Sequence, residues 1–277
     1  MIRADLHMHS VYSDGLYTPD ELCRRARFYG VEALSITDHD TMNGLEEKRA
    51  AAEKYGLQYV DGWEISAYEW DNKIHILGYG CARGEAYEAF MQQRVEAAKA
   101  RAEERVKKLN GLGIGVTMED VLACQADENS PLHTMHVARA VGQLLGIAES
   151  EAYYRYLGRG KAAESTIGRP TPYEAIECIR ASGGVAFLAH PGRIYLPEEE
   201  LEKRICLLKD CGLDGIECHY STHTALQTER YLAYAKKYDL RVSGGSDTHW
   251  EDGARSIGAP VFHITDELLS YLQRKSG

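Results

Sequence analysis

Proline is scarce in this chain, 7 of 277 residues, and no repeat or low-complexity segment interrupts it. With 44% hydrophobic and 27% charged residues, the composition excludes a disordered protein and leaves one large α/β domain, or a domain with an insertion. No apolar run approaches the roughly 18 residues that a membrane span requires, so no membrane partner is expected. Cys-x-x-Cys is absent too: Cys23, Cys81, Cys124, Cys178, Cys206, Cys211 and Cys218 are scattered and odd in number. Neither a zinc ribbon nor a disulfide framework is supported, and the thiols are read as reduced. Basic residues are outnumbered, 32 Lys+Arg against 42 Asp+Glu for a net charge of -10. That argues against a surface that coats nucleic acid, and no stable duplex binding is expected. Anionic substrates stay open, because a few bound divalent cations would reverse the sign inside one cleft. Met1-Ile2-Arg3 leads straight into a strand without the regions of an export signal, so a cytoplasmic location is the expectation.

What the chain does have is histidine set beside acid. Four short patches stand out: Asp5-Leu6-His7-Met8-His9, Thr37-Asp38-His39-Asp40, Ala189-His190-Pro191-Gly192 and Ser246-Asp247-Thr248-His249, with His75 between them. In an extended strand residues i and i+2 share a face, so His7 projects with His9 and Asp247 with His249. Apolar runs that read as buried strands precede the patches, such as Ala33 to Ile36 before Asp38 and Val185 to Ala189 before His190. Such an inventory gathered at strand C-terminal ends is that of a multinuclear metal site.

The rest of the chain alternates strands and helices. Thr18-Pro19-Asp20-Glu21 opens a helix, with Thr18 as cap and Glu21 three residues on, and Gly30 ends it. A strand at Ala33 to Thr37 leads to a helix at Leu45 to Tyr55, then to a strand from Tyr59 to Ser66 with Glu64 at its end. Lys73 to Tyr79 is expected to pair with that strand through a turn near Asp71-Asn72, and it carries His75. Residues 85–172 read as helices alone, an inserted helical cap, in which Arg94, Arg101 and Arg105 sit among Glu and Lys as on a solvated face. Residues 1–84 and 173–277 are expected to form the α/β domain. Repeated strand–helix units predict a parallel sheet, and site residues at several strand ends favour a TIM-like barrel over an open sheet.

These motifs carry a resemblance. Asp5 to Ser10 followed by Tyr12-Ser13-Asp14-Gly15, then Ile36 to Asp40, Gly62 to Ser66, Lys73 to Gly78, Leu188 to Arg193 and Gly245 to His249 resemble the signatures of the PHP (polymerase and histidinol phosphatase) metal-dependent phosphoesterases, in family order. The Ser-Asp-Gly turn, the helical insertion and His136-Val137-Ala138-Arg139 resemble the TrpH-like subgroup. Its members act on nucleotides, as nucleoside 3′,5′-bisphosphate phosphatases or 5′-to-3′ trimming exoribonucleases. The resemblance implies a distorted seven-stranded (β/α) barrel with two to three divalent ions. It implies that His7, His9, Glu64 and Asp247 hold one ion, Asp14, His39 and His249 a second, and Glu64, His75 and His190 a third. Imidazole and carboxylate without thiolate suit manganese, iron or zinc, and manganese is taken first. Asp38 and Asp40 flank His39 and are expected to orient it.

Phosphoester hydrolysis needs hydroxide at neutral pH and positive charge on the phosphate oxygens, which clustered ions supply together. The attacking hydroxide is expected between the ions held by His7/His9 and by Asp14/His39. His136, Asp247 and Glu64 are the candidate catalytic residues, His136 for phosphate contact or leaving-group protonation. Arg139 and Arg193 are expected to clamp substrate phosphates, with His223 and Arg94 on the rim. The expected substrate is a phosphorylated small molecule, a nucleotide or short oligonucleotide. Histidinol-phosphate phosphatase and a catalytically idle binding module are the competing readings.

Overall fold

The computed structural model describes residues 1–125, 131–251 and 255–273. Strand β1 (Ile2–Met8) is followed by α1 (Pro19–Phe28), β2 (Ala33–Ile36), α2 (Leu45–Lys54), β3 (Gln58–Tyr59), β4 (Gly62–Glu69) and β5 (Asn72–Tyr79). Helices α3 (Glu85–Gly111), α4 (Met118–Leu122), α5 (Thr134–Leu145) and α6 (Glu149–Ala152) come next, α6 running into a π turn at Tyr153–Leu157. Alternation then returns with α7 (Pro172–Ala181), β6 (Val185–Leu188), α8 (Glu198–Asp210), β7 (Gly215–Tyr220), α9 (Ala225–Lys237), β8 (Arg241–Gly245), β9 (Phe262–Ile264) and α10 (Asp266–Leu272). Among the described residues no helix is long and apolar enough to cross a membrane.

Local chemistry accounts for these elements. Thr18 closes a capping box, its side chain accepting from the Glu21 N–H while the Glu21 carboxylate accepts from the Thr18 N–H at 2.9 Å. The β4–β5 hairpin turns on Trp70 and Asp71, both at positive φ (52° and 55°) as a tight hairpin demands, and Glu69 pairs with Asn72.

The strands do not form the closed, parallel seven-stranded barrel expected from the sequence. They form two mixed sheets, in the orders β3-β2-β1-β9 and β4-β5-β6-β7-β8. Two connections explain the antiparallel pairs. A two-residue link forces β5 to run against β4, and β9 lies antiparallel on the free edge of β1. At the seams between the sheets the pairing reduces to single bridges, Met8 with Thr248 and His39 with Glu64. Backbone bonds support them: Asp247 N–H to His7 O at 2.7 Å, His9 N–H to Thr248 O at 2.9 Å, and Asp40 N–H to Glu64 O at 2.8 Å. Gly245 permits one close approach, since a side chain there would run into the backbone and Cβ of His7.

The chain divides into two compact units, Met1–Ala89 with Pro170–Gly277, and Phe90–Arg169. The sequence reading had set these limits at 85 and 172. In the first unit Leu6, Ala33, Leu77 and Phe187 are among the buried residues of one core cluster, and Met8, Leu22, Leu34 and Ile36 of another. The Tyr79 hydroxyl reaches from β5 to the Leu6 carbonyl of β1 at 3.0 Å.

The second unit packs Leu109, Val121, Val137, Val141 and Leu157 together. Its α3 face was expected to be solvated, and here the structure differs. Arg101 and Arg105 are buried, donating to the carbonyls of Ile167 and Ser165, while Lys108 reaches Glu164 and Arg94 reaches Gly168. The segment 164–168 lies along the helix without partners in a sheet, so its carbonyls need donors, and long basic side chains supply them.

Candidate metal centre

His7 near the end of strand β1 and His9 just beyond it, both fully buried, come to one point. His7 Nε2 lies 3.3 Å from Glu64 and 3.4 Å from Asp247, and His9 Nε2 lies 3.3 Å and 3.1 Å from the same two carboxylates. Glu64 was expected at a strand end. It is instead the third residue of β4, because the chain breaks after β3 and starts a new strand at the seam beside His39. Its Oε1 lies 2.8 Å from His75 Nδ1 and 3.1 Å from His190 Nε2, and its Oε2 lies 2.9 Å from His39 Nδ1. On the other side of His9, His249 Nε2 approaches Asp14 at 3.3 Å, and the His9 ring lies 4.1 Å from that of His249 and 4.3 Å from that of His39.

Among the described residues three groups thus have ligand atoms within 4.8 Å of one another: His7, His9, Glu64 and Asp247; His9, Asp14, His39 and His249; and His39, Glu64 and His75. The first matches the grouping implied by the motifs. The second gains His9, and the third has His39 where His190 was expected, although His190 touches Glu64 Oε1, the oxygen that also faces His75. Backbone geometry concentrates here as well, with Asp40, His190 and Asp247 at φ 53°, 26° and 54°.

The donors fit cations. His7 Nε2, both ring nitrogens of His9, Asp14 Oδ1, Glu64 Oε2 and His75 Nε2 are buried with no hydrogen-bond partner, an arrangement that convergent lone pairs tolerate when a metal satisfies them. Burial pushes His9 down to about 3, with His249 and His39 adding to it. Burial likewise takes His190 to about 3 and His75 to about 4, in both cases against the pull of Glu64. For His39 burial is outweighed by Glu64 and Asp14, which carry it up to about 9, and His7 is raised well above its ordinary value against burial by Glu217, Glu64 and Asp247. Asp14, Glu64 and Asp247 stay well below the usual carboxylate range, because neighbouring imidazoles overcome the cost of burial. The charged carboxylates and the neutral rings of His9, His75 and His190 are in the states that metal coordination requires, whereas His7 and His39 must give up a proton to bind a cation.

A family model described as the PHP domain matches residues 5–159. The chain belongs to the PHP domain family. Among PHP relatives it is 34% identical over 258 residues to a 5′-3′ exoribonuclease of Haemophilus influenzae, covering 92% of this chain and 93% of that one. It is 33% identical to a phosphoribosyl 1,2-cyclic phosphate 1,2-diphosphodiesterase of Eggerthella lenta (90% and 95% covered) and 30% identical to a 3′,5′-nucleoside bisphosphate phosphatase of Chromobacterium violaceum (93% and 91%). A crystal structure from Bifidobacterium adolescentis, described as a candidate metal-dependent phosphoesterase, superposes with a TM-score of 0.84 at 29% identity, covering 99% of this chain and 96% of that one.

Of the residues expected to meet substrate in this PHP chain, Arg193 lies at the ligand cluster. Its Nη1 is 3.3 Å from both the Tyr220 hydroxyl and Asp247 Oδ2. His223 has both ring nitrogens engaged: Nδ1 faces the Cys218 carbonyl of β7 at 3.0 Å, and Nε2 accepts the Gly192 N–H at 3.2 Å, which fastens the turn that carries Arg193. The remaining candidates lie in the second unit. There Arg139 pairs with Glu149 at 2.8 Å, Arg94 reaches Gly168, and His136 Nδ1 accepts the His133 N–H at 3.1 Å in a cap at the start of α5.

Asp38 is engaged by other groups. It accepts from the Ser10 N–H and from the Ser10 and Ser13 hydroxyls, each at 2.7 Å, and pairs with buried Lys48, thereby shaping the loop between His9 and Asp14. Asp40 Oδ1 accepts the Ser66 N–H at 2.7 Å. Glu217 and Tyr220 carry no motif that marks them as site residues, and Asp5 of the first patch is assigned no role from the sequence. Glu217 meets His7 and His190, Tyr220 donates to Asp247 at 2.8 Å, and Asp5 accepts from the N–H groups of Ser246 and Gly258. An acid in the apolar run Gly215-Ile216-Glu217-Cys218 was the available signal.

Proposed function

We propose that this protein is a metal-dependent phosphoesterase acting on nucleotide phosphoesters, removing the 3′ phosphate of nucleoside 3′,5′-bisphosphates or trimming short 5′-phosphorylated oligonucleotides. The observation that carries the reading is the convergence of His7, His9, Asp14, His39, Glu64, His75, His190, Asp247 and His249 into adjoining groups linked through His9, His39 and Glu64, in a PHP chain. Relatives named for nucleotide and RNA substrates, each matched over nine-tenths of this chain, support the substrate class.

Two to three divalent ions, manganese first and iron or zinc as alternatives, would supply positive charge for the phosphate oxygens and acidify water. The chain's own residues do the rest. Glu64 and Asp247 draw His7 and His9 onto one point, and Asp14 faces His249 and His39 on the next. Arg193, braced against Tyr220 and Asp247, offers its planar fork to a phosphate oxygen beside the ligand cluster.

The test is side-by-side release of phosphate and nucleotide from 3′-phosphoadenosine 5′-phosphate and from a short 5′-phosphorylated RNA, using Mn²⁺-loaded protein with Asp247→Ala as control. Phosphate release with intact RNA assigns the bisphosphatase, and mononucleotide release the trimming nuclease. No turnover of either, with turnover of histidinol phosphate, overturns the nucleotide reading. Silence on a broad phosphoester panel together with tight binding of a partner points to an idle module.

A further inference from the structure

Glu217 lies on β7 without exposed surface, where the β7–β8 register shifts between Glu217 and His219. β7 stands between β6, which ends just before His190, and β8, which leads to Asp247. The carboxylate is divided between two of the candidate ligands. Oε1 lies 2.9 Å from His7 Nδ1, and Oε2 accepts the His190 N–H at 2.7 Å. When that carboxylate is ionised it can only accept, which puts a proton on His7 Nδ1 and leaves Nε2, the nitrogen that faces Glu64 and Asp247, for a cation. The other oxygen holds the backbone of His190 at φ 26°, the point where the chain leaves β6.

We propose that Glu217 is a positioning residue that sets the ligand atom of His7 and the place of His190 together, so that one buried carboxylate governs cation binding on both sides of Glu64. The inference rests on reading the histidine and acid groups as cation sites. Glutamine makes the argument testable, because it has the same size but one acceptor and one NH₂ donor. With its oxygen on His190, its NH₂ faces His7 Nδ1, which must then accept; the ring proton moves to Nε2 and blocks the cation. With its oxygen on His7, its NH₂ opposes the His190 N–H and the turn is displaced. Either orientation spoils one partner.

The experiment uses the full chain, stripped of metal and titrated with Mn²⁺ by calorimetry, with bound metal counted by elemental analysis. Glu217→Gln is expected to bind Mn²⁺ about 10–100-fold more weakly than the natural chain, or to lose an equivalent, while the metal-free thermal midpoint changes little. Natural affinity and stoichiometry in Glu217→Gln overturn the proposal, and so does a natural chain that binds no Mn²⁺. A second measurement needs no variant. In ¹⁵N-histidine protein loaded with Zn²⁺, NMR is expected to find the His7 proton on Nδ1 and the metal on Nε2, and ligation through Nδ1 overturns the proposal. Neither readout involves hydrolysis, so a chain inactive on every phosphoester would sink the proposed function while Glu217 is judged separately.

Discussion

Lys48 Nζ lies 2.6 Å from Asp38 Oδ2, and neither side chain is exposed. The pair joins α2 to the carboxylate that gathers Ser10 and Ser13, and through them the loop from His9 to Asp14. Lys48→Ala leaves that carboxylate buried without its counter-charge and is expected to cost about 3–5 kcal/mol, read by urea unfolding. Replacing both partners, Asp38→Asn with Lys48→Met, is expected to cost less than the single change. If Lys48→Ala unfolds at the same urea concentration as the natural chain, the pair has no such role.

Close approach of β8 to β1 depends on Gly245. Gly245→Ala places a methyl group against the backbone of His7, and overpacking of this kind costs about 1–3 kcal/mol. The same displacement moves a candidate ligand, so Mn²⁺ affinity is expected to fall together with the thermal midpoint. Stability lost with metal affinity intact would separate the packing of the seam from the placing of His7.

Metal should stabilise the folded chain. At a concentration of about 100 times its dissociation constant, a ligand that binds only the folded state adds about 2.7 kcal/mol. Mn²⁺ is therefore expected to raise the thermal midpoint, a chelator to reverse the rise, and Asp247→Ala to lose most of it. Asp247→Ala is also expected to lower hydrolysis by about 100-fold or more. A midpoint indifferent to both Mn²⁺ and chelator would contradict the cation reading.

Arg193 and His223 are expected to differ in kinetics. Arg193→Ala removes a charge beside Asp247 and should raise KM for an anionic substrate about 10-fold or more. His223→Ala removes the fastening of Gly192 and should cost about 1–2 kcal/mol of stability, with a smaller effect on KM. Equal effects on KM, without loss of stability in His223→Ala, would return His223 to the substrate rim.

Much of the fold was legible because its signals are local. The Thr18 capping box and the β4–β5 hairpin, whose turn falls on Trp70-Asp71 one residue before the expected Asp71-Asn72, each occupy a few consecutive residues governed by short-range geometry. The strand alternation expected to pair Asp247 with His249 does not apply, since β8 ends at Gly245 and Asp247 sits at φ 54°. What the sequence hid is long-range. Nothing near Glu64 tells that it opens a strand rather than ending one, because that depends on the seam with His39. Closure into a parallel barrel was over-read from the alternation of elements, which does not register the antiparallel β5 and β9. The neighbours of Asp38 misled in another way. Adjacency to His39 suggests a partner, yet β2 ends at Ile36 and Asp38 lies beyond it, where Lys48 and the hydroxyls of Ser10 and Ser13 engage its carboxylate.

The division of the chain at Ala89/Phe90 and Arg169/Pro170 has an evolutionary corollary. Every candidate ligand, from His7 to His249, is encoded outside the intervening stretch, which carries its own core. Substitutions accumulating between 90 and 169 therefore leave the coordinating set untouched, and descent can diversify that stretch while the inorganic chemistry is inherited unchanged.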